Sequence, residues 1–187
     1  MSAKRTTGFY VARCYDRTNY DTVVEADILK ALNHPQLPVF EGEFHNETMS
    51  CLLRQYIEGT PLEAYIQENQ LSREEITAIS ISICDILDYL RSQTPPVIHR
   101  DIKPRNIIIR EDGLPVLIDF DIACTYKNGS DLDTVFRGTQ VYASPGQYGF
   151  TQTDARSDFF SFDITLRYML TGSPRQNPNI RLSAPLE

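Results

Sequence analysis

Apolar and polar positions along the chain change period several times, and each change marks an element. Phe9 to Tyr15 reads as a strand, and Thr22 to Leu32 as a helix with Val24, Ile28, Leu29 and Leu32 on one side, stopped by His34-Pro35. Residues 37 to 45 and 48 to 57 alternate enough to pair as two strands. Thr60-Pro61-Leu62-Glu63 and Ser72-Arg73-Glu74-Glu75 both match the capping box, a hydroxyl followed three residues on by Glu, and predict a short helix to about Gln67 and a long one to about Arg91. The long helix carries Ile76, Ile79, Ile83, Ile86, Leu87 and Leu90 at helical spacing, a core stripe. Thr94-Pro95-Pro96 ends it, and Ile107 to Arg110 with Val116 to Asp119 predict a hairpin around Asp112-Gly113. Phe159 to Leu170 is apolar on most of its circumference, the signature of a helix that calls for cover on all sides and shows apolar surface where the cover is incomplete.

Two short stretches do not fit a packing role. VIHRDIKPRN, Val97 to Asn106, places Asp101, Lys103 and Asn106 on one irregular loop, and LIDFD, Leu117 to Asp121, ends an apolar strand in Asp119. Phosphoryl transfer needs a carboxylate beside the attacking hydroxyl, a cation on the migrating group and oxygen ligands for Mg²⁺. Asp101, Lys103, and the pair Asn106 and Asp119 supply these in turn. Taken singly, an Asp in a loop is a turn residue and a Lys a solvated one. The combination points to a phosphate and its metal.

His99-Arg100-Asp101, Lys103 and Asn106, followed by a hairpin and Asp119-Phe120, resemble the catalytic loop and magnesium segment of protein kinases, in the serine/threonine version where Pro follows the Lys. Gly138 to Gly172 resembles the end of the activation segment and the helix after it, particularly in bacterial kinases of this type. The resemblance implies an α+β, two-lobed fold, with a reduced β-rich N-lobe over residues 1–59 and a shortened helical C-lobe over residues 60–187. It implies Asp101 as base, Lys103 on the transferred phosphate, Asn106 and Asp119 on Mg²⁺, and ATP as the phosphate donor. Glu25 falls where the family's helix Glu pairs with a strand Lys, but this strand has no Lys. Val11-Ala12 puts Cys14 at that position, and a register one earlier puts Arg13 there. Gln55 to Gly59 resembles the hinge whose backbone meets the adenine, which marks Gln55 and Ile57 as nucleotide contacts. Arg54 then guards the back of the nucleotide pocket, where it replaces the Lys, plugs the pocket, or turns to solvent. Thr139 is placed beside the catalytic Asp and Lys, Asp158 under the catalytic loop, and Leu29, Phe40, His99 and Phe120 in the family's stacked spine. Ser130 and Thr134 are candidate phosphate acceptors in the activation segment, with Arg100 as the cation to receive a phosphate.

Several departures qualify the resemblance. There is no GxGxxG, Asp121 stands where the family has Gly, and Ser144-Pro145-Gly146 lacks the usual Glu, so the domain is expected to be shortened at both ends. Asp121 is expected to accept the positive φ of that glycine and, with no Lys to offset it, to make with Asp119 a site that binds divalent metal even without ATP. Composition then narrows the field. At 187 residues and 41% apolar the chain can bury a core, and a net charge of −7 argues against a nucleic-acid surface. No apolar run is long enough to span a bilayer, and the chain reads as cytoplasmic. Cys14, Cys51, Cys84 and Cys124 lie far apart in mostly apolar segments and read as buried thiols. The function expected is a serine/threonine protein kinase-like phosphotransferase acting on a protein substrate. The alternative is a pseudokinase or interaction module that binds a partner protein. Self-association through apolar surface left at the shortened ends is a further expectation.

Overall fold

The computed structural model describes residues 8–16, 24–126, 139, 141–144 and 154–173. Strand β1 (Tyr10–Asp16) pairs antiparallel with β3 (Met49–Gln55), which pairs on its other edge with β2 (Phe40–His45). Helix α1 (Val24–Ala31) joins this sheet through one buried cluster in which Ala26, Ile28 and Leu29 share the core with Leu52. Along β1, Val11, Arg13 and Tyr15 are on the sheltered face, while Tyr10, Ala12, Cys14 and Asp16 are exposed. Because side chains alternate faces, this settles the strand position left open by the sequence: Arg13 points inward and Cys14 does not.

Cys14 lies opposite Cys51 in the β1–β3 register, and the two are joined in a disulfide. The reading of four buried thiols is therefore corrected. Residues 37 apart become neighbours only once two strands choose a register, which spacing does not reveal. Cys84 lies outside this bond and is exposed, so it is not buried either.

Residues after 60 supply the other described helices. α3 (Arg73–Ser92) opens on the reciprocal box at Ser72, whose Oγ accepts from the Glu75 N–H at 3.2 Å while the Glu75 carboxylate accepts from the Ser72 N–H at 2.8 Å. All six residues of its apolar stripe are buried, each contributing roughly 1.5–3 kcal/mol of transfer free energy. The box at Thr60 does not form. Thr60 and Pro61 instead pair as strand β4 with Ile109 and Ile108 of β6 (Ile107–Ile109), and α2 (Leu62–Glu68) starts without a side-chain cap. That pairing brings the backbones so close that a Cβ on Gly59, at φ 148°, would lie 2.3 Å from the Ile109 carbonyl oxygen. Only glycine fits there.

β6 and β7 (Pro115–Leu117) form the expected hairpin, and β5 (Val97–Ile98) pairs with β8 (Cys124–Thr125). α4 (Arg156–Thr171) packs against α3 and ends at Gly172, at φ 68°, whose N–H bonds the Tyr168 carbonyl at 2.8 Å. Part of the apolar surface of α4 is open to solvent, in line with the expected uncovered apolar area. Its buried face carries Ser157, Asp158, Ser161, Phe162, Thr165 and Met169, whereas Phe159, Phe160 and Leu170 are 39%, 42% and 49% exposed. The buried face is polar because it makes specific bonds, such as Ser161 Oγ donating to the Tyr142 carbonyl at 2.7 Å. Ser130, Thr134, Pro145 and Gly146 lie outside the described residues.

Candidate active site

The loop after β5 is held from beneath. The Asp158 carboxylate accepts the backbone N–H of His99 and of Arg100, both at 2.8 Å, and is 3% exposed. This anchor coincides with a left-handed backbone at Arg100, φ 69°, a conformation that costs a non-glycine residue about 1–2 kcal/mol. His99 is fully buried and stitches the two chemistry-bearing segments together. Its Nδ1 accepts from the Asp101 N–H at 3.3 Å, so the proton sits on Nε2, which donates to the Ile118 carbonyl at 3.1 Å. The Ile118 N–H in turn donates to the Asn106 carbonyl at 2.9 Å. Burial drives the His99 pKa down to about 4, which keeps this neutral tautomer. Phe120 stacks edge-on against the His99 ring, with centroids 4.6 Å apart. Leu29 is buried too, and Phe40 packs against the same core, as the spine requires.

Asp101 is held at both carboxylate oxygens. Oδ2 accepts from Lys103 Nζ at 2.7 Å and from Asn106 Nδ2 at 2.9 Å, and Oδ1 accepts from the Thr139 hydroxyl at 3.0 Å. Lys103 Nζ also donates to Thr139 Oγ1 at 2.8 Å. One hydroxyl thus touches both a carboxylate able to take its proton and an ammonium able to meet a phosphoryl group. Asn106, buried on a 3₁₀ turn over Pro104–Asn106, spends its amide nitrogen on Asp101, so its oxygen is the atom left to serve a cation.

Asp119 adopts φ 70°, so the positive φ expected at Asp121 lies two residues earlier. Its carboxylate, like that of Asp121, is bound by Arg13. One guanidinium nitrogen of Arg13 bonds Asp119 Oδ1 closely and lies 3.4 Å from Glu25 Oε2, while the other lies 3.2 Å from Asp121 Oδ2. Burial alone would raise the Asp119 pKa, but the hydrogen bond and charge of Arg13 outweigh it and hold the carboxyl below its ordinary value. Glu25 is 1% exposed, and burial raises its pKa against the opposing pull of Tyr15, Arg13 and Arg54. Arg54 is buried, with Nε 3.7 Å from Glu25 Oε1, so the solvent-facing reading does not describe it. The expected acidic pair with no counter-cation is corrected on the same grounds. Tyr15, not foreseen from the sequence, donates or shares its hydroxyl with Glu25 Oε2 at 2.9 Å and Asp121 Oδ1 at 3.0 Å. Its signal was present: it sits two residues after Arg13, hence on the same face of a strand.

Asp119 and Asn106 each offer a hard oxygen, the ligand type that suits Mg²⁺, and no cluster of three or more His, Cys, Asp or Glu side chains able to hold a metal occurs among the described residues. The hinge residues Gln55 and Ile57 line a cleft of about 980 Å³ together with Pro35, Tyr65 and Val116, and none of Arg13, Glu25, Asp101 or Asp119 lines it. That cleft is separate from the acid cluster.

A carboxylate, an ammonium and two further oxygen-bearing side chains, Asp101, Lys103, Asn106 and Asp119, thus gather on neighbouring segments, with Arg13 of the β-sheet reaching Asp119. A family model described as protein kinase domain matches residues 10–181, and the chain belongs to the protein kinase family. It is 32% identical over 80% of its length to a putative leucine-rich repeat receptor-like serine/threonine-protein kinase of Arabidopsis thaliana. It is 35% identical over 81% to serine/threonine-protein kinase PknA of a Nostoc species, and 34% identical over 79% to serine/threonine-protein kinase D of a Synechocystis species. The chain spans 18%, 28% and 30% of the lengths of these three relatives.

Proposed function

We propose that this chain transfers the γ-phosphoryl group of ATP to a serine or threonine hydroxyl of a protein substrate, as a bacterial-type kinase domain acting in the cytoplasm. The observation that carries the reading is the Thr139 hydroxyl, lodged 3.0 Å from Asp101 Oδ1 and 2.8 Å from Lys103 Nζ. A substrate hydroxyl in that position would have its proton base and its phosphate cation in place. Asp101 takes the proton, and Lys103 meets the charge of the phosphoryl group. Asn106 and Asp119 would hold Mg²⁺, which when bound neutralises charge on the nucleotide phosphates. Arg13 takes the place of the absent strand Lys, and Arg54 holds Glu25 from behind, which keeps α1 against the site. Gln55 and Ile57 would meet the adenine through the hinge backbone. Residues 1–59 and 60–187 are its two lobes. The relatives are kinases by name, and no observation on the site favours the non-catalytic alternative.

The test is label transfer from γ-³²P ATP to a generic basic protein, followed by phosphoamino-acid analysis. Weak, Mg²⁺-dependent label on serine or threonine is expected from this chain, whose sequence carries no GxGxxG and no strand Lys to position the phosphates. Label that persists in excess chelator, or none at any enzyme concentration, refutes the assignment.

Self-association is part of the same proposal. β1 is an edge strand, Phe9 beside it is 85% exposed, and α4 shows Phe159, Phe160 and Leu170 to solvent. Light scattering after gel filtration should therefore give a mass above one chain that falls on dilution. A monomer at every concentration tested removes this part.

A further inference from the structure

Arg13 occupies an unusual position for the cation of such a site. It does not only brace the helix carboxylate Glu25. It also reaches across to the metal-segment carboxylates, with Asp119 Oδ1 in close contact and Asp121 Oδ2 at 3.2 Å. The side chains of Arg13, Asp119 and Asp121 are 31%, 30% and 41% exposed, so an ion from solvent can reach this contact. A divalent ion on the Asp119 carboxylate would sit within a few ångström of this guanidinium, and the repulsion between the two cations is strong in a partly desolvated site.

We propose that Arg13 is the resident counter-cation of the metal carboxylate: its guanidinium holds Asp119 while no divalent ion is present, and a divalent ion binds there by displacing it. The inference rests on the reading of Asp119 as a metal ligand. Asp121 is what makes the exchange workable. Tyr15 ties its Oδ1 to Glu25 Oε2 through one hydroxyl, at 3.0 and 2.9 Å, so a second and third acceptor stay beside β1 to receive the guanidinium once it leaves Asp119. Arg54, 3.7 Å from Glu25 Oε1, is a cation on the far side of the same Glu that does not reach Asp119 by a hydrogen bond, and so serves as an internal control for charge without occupancy.

Mn²⁺ binding to the full chain without nucleotide, read from the electron paramagnetic resonance signal of the free ion, tests this independently of phosphotransfer. Arg13→Met should bind Mn²⁺ at least about tenfold more tightly than the wild type, and Asp119→Asn should abolish binding in both backgrounds. Arg54→Met should change the affinity by less than about threefold. An Arg13→Met affinity equal to or below that of the wild type overturns the exchange. So does an equal gain in Arg54→Met, which would mean that only the general field had changed. No binding in either the wild type or Arg13→Met removes the metal reading itself along with the exchange. Should Arg13→Met not fold, the unmutated chain gives the same answer: Mg²⁺ should shift the Arg13 Nε–H resonance in ¹⁵N spectra, assigned by its loss in Arg13→Lys, and leave that of Arg54 in place. An unmoved Arg13 resonance at saturating Mg²⁺ overturns the proposal.

Discussion

Replacing Asp101 with Asn should lower phosphotransfer by about a hundredfold to ten-thousandfold, the range a positioned general base supplies. The substitution keeps the shape of the side chain and an oxygen for Lys103, which donates to Asp101 Oδ2 at 2.7 Å. It removes the capacity to accept a proton at Oδ1, the atom that the Thr139 hydroxyl now faces at 3.0 Å. Stability should change little, because Lys103, Asn106 and Thr139 can all rearrange around an amide that both donates and accepts. A parallel measurement of label transfer and thermal unfolding for the two proteins separates chemistry from folding. Equal labelling by wild type and Asp101→Asn would mean that any observed transfer comes from a contaminant or from another group, and the assignment of the base would fail.

The chemistry was legible because it is local. Asp101, Lys103 and Asn106 lie within six residues on a loop whose turns cannot be anything but irregular, and the hairpin that follows fixes Asp119. α3 was legible for a different reason: six apolar residues at helical spacing and a reciprocal cap leave one reading, and all six are buried. What escaped depends on pairing between distant segments. The Cys14–Cys51 bond, the choice of Arg13 over Cys14 and the seat of Arg54 against Glu25 all follow from the β1–β3 register, which a sequence does not print. Thr60-Pro61 carried a sound local cap signal and lost it to a tertiary alternative, the β4–β6 bridge. α4 was legible only in part. Its apolar circumference did not say which side faces inward, and that side mixes Phe162 and Met169 with small or charged residues that bond Tyr142, His99 and Arg100.

Removing the carboxylate beneath the loop should have the largest effect on the fold. Asp158→Ala leaves the N–H groups of His99 and Arg100 without the acceptor each now has at 2.8 Å. At roughly 1–3 kcal/mol for each stranded donor, this is a loss of about 2–6 kcal/mol, a large part of the stability of a domain this size. Asp158→Asn retains an acceptor and isolates a second effect, on pH. Burial raises the Asp158 pKa to about 6 from an ordinary 3.8, against the pull of the two backbone bonds. Its contribution to stability is therefore full below about pH 4 and is lost as pH rises toward 6. His99 works in the opposite sense. With a folded pKa of about 4 against an ordinary 6.5, its contribution is full above about pH 6.5 and is lost as pH falls toward 4. Each shift corresponds to about 3 kcal/mol, so in the wild type the two slopes nearly cancel between pH 4 and 6.5. Asp158→Asn should uncover the His99 slope, with stability falling on acidification, and His99→Phe should uncover the Asp158 slope, with stability falling as pH rises. Urea unfolding across this range reads both. A level profile in Asp158→Asn would show that His99 titrates near its ordinary value, and a level profile in His99→Phe would show the same of Asp158, with the loop held by a carboxylate charged throughout.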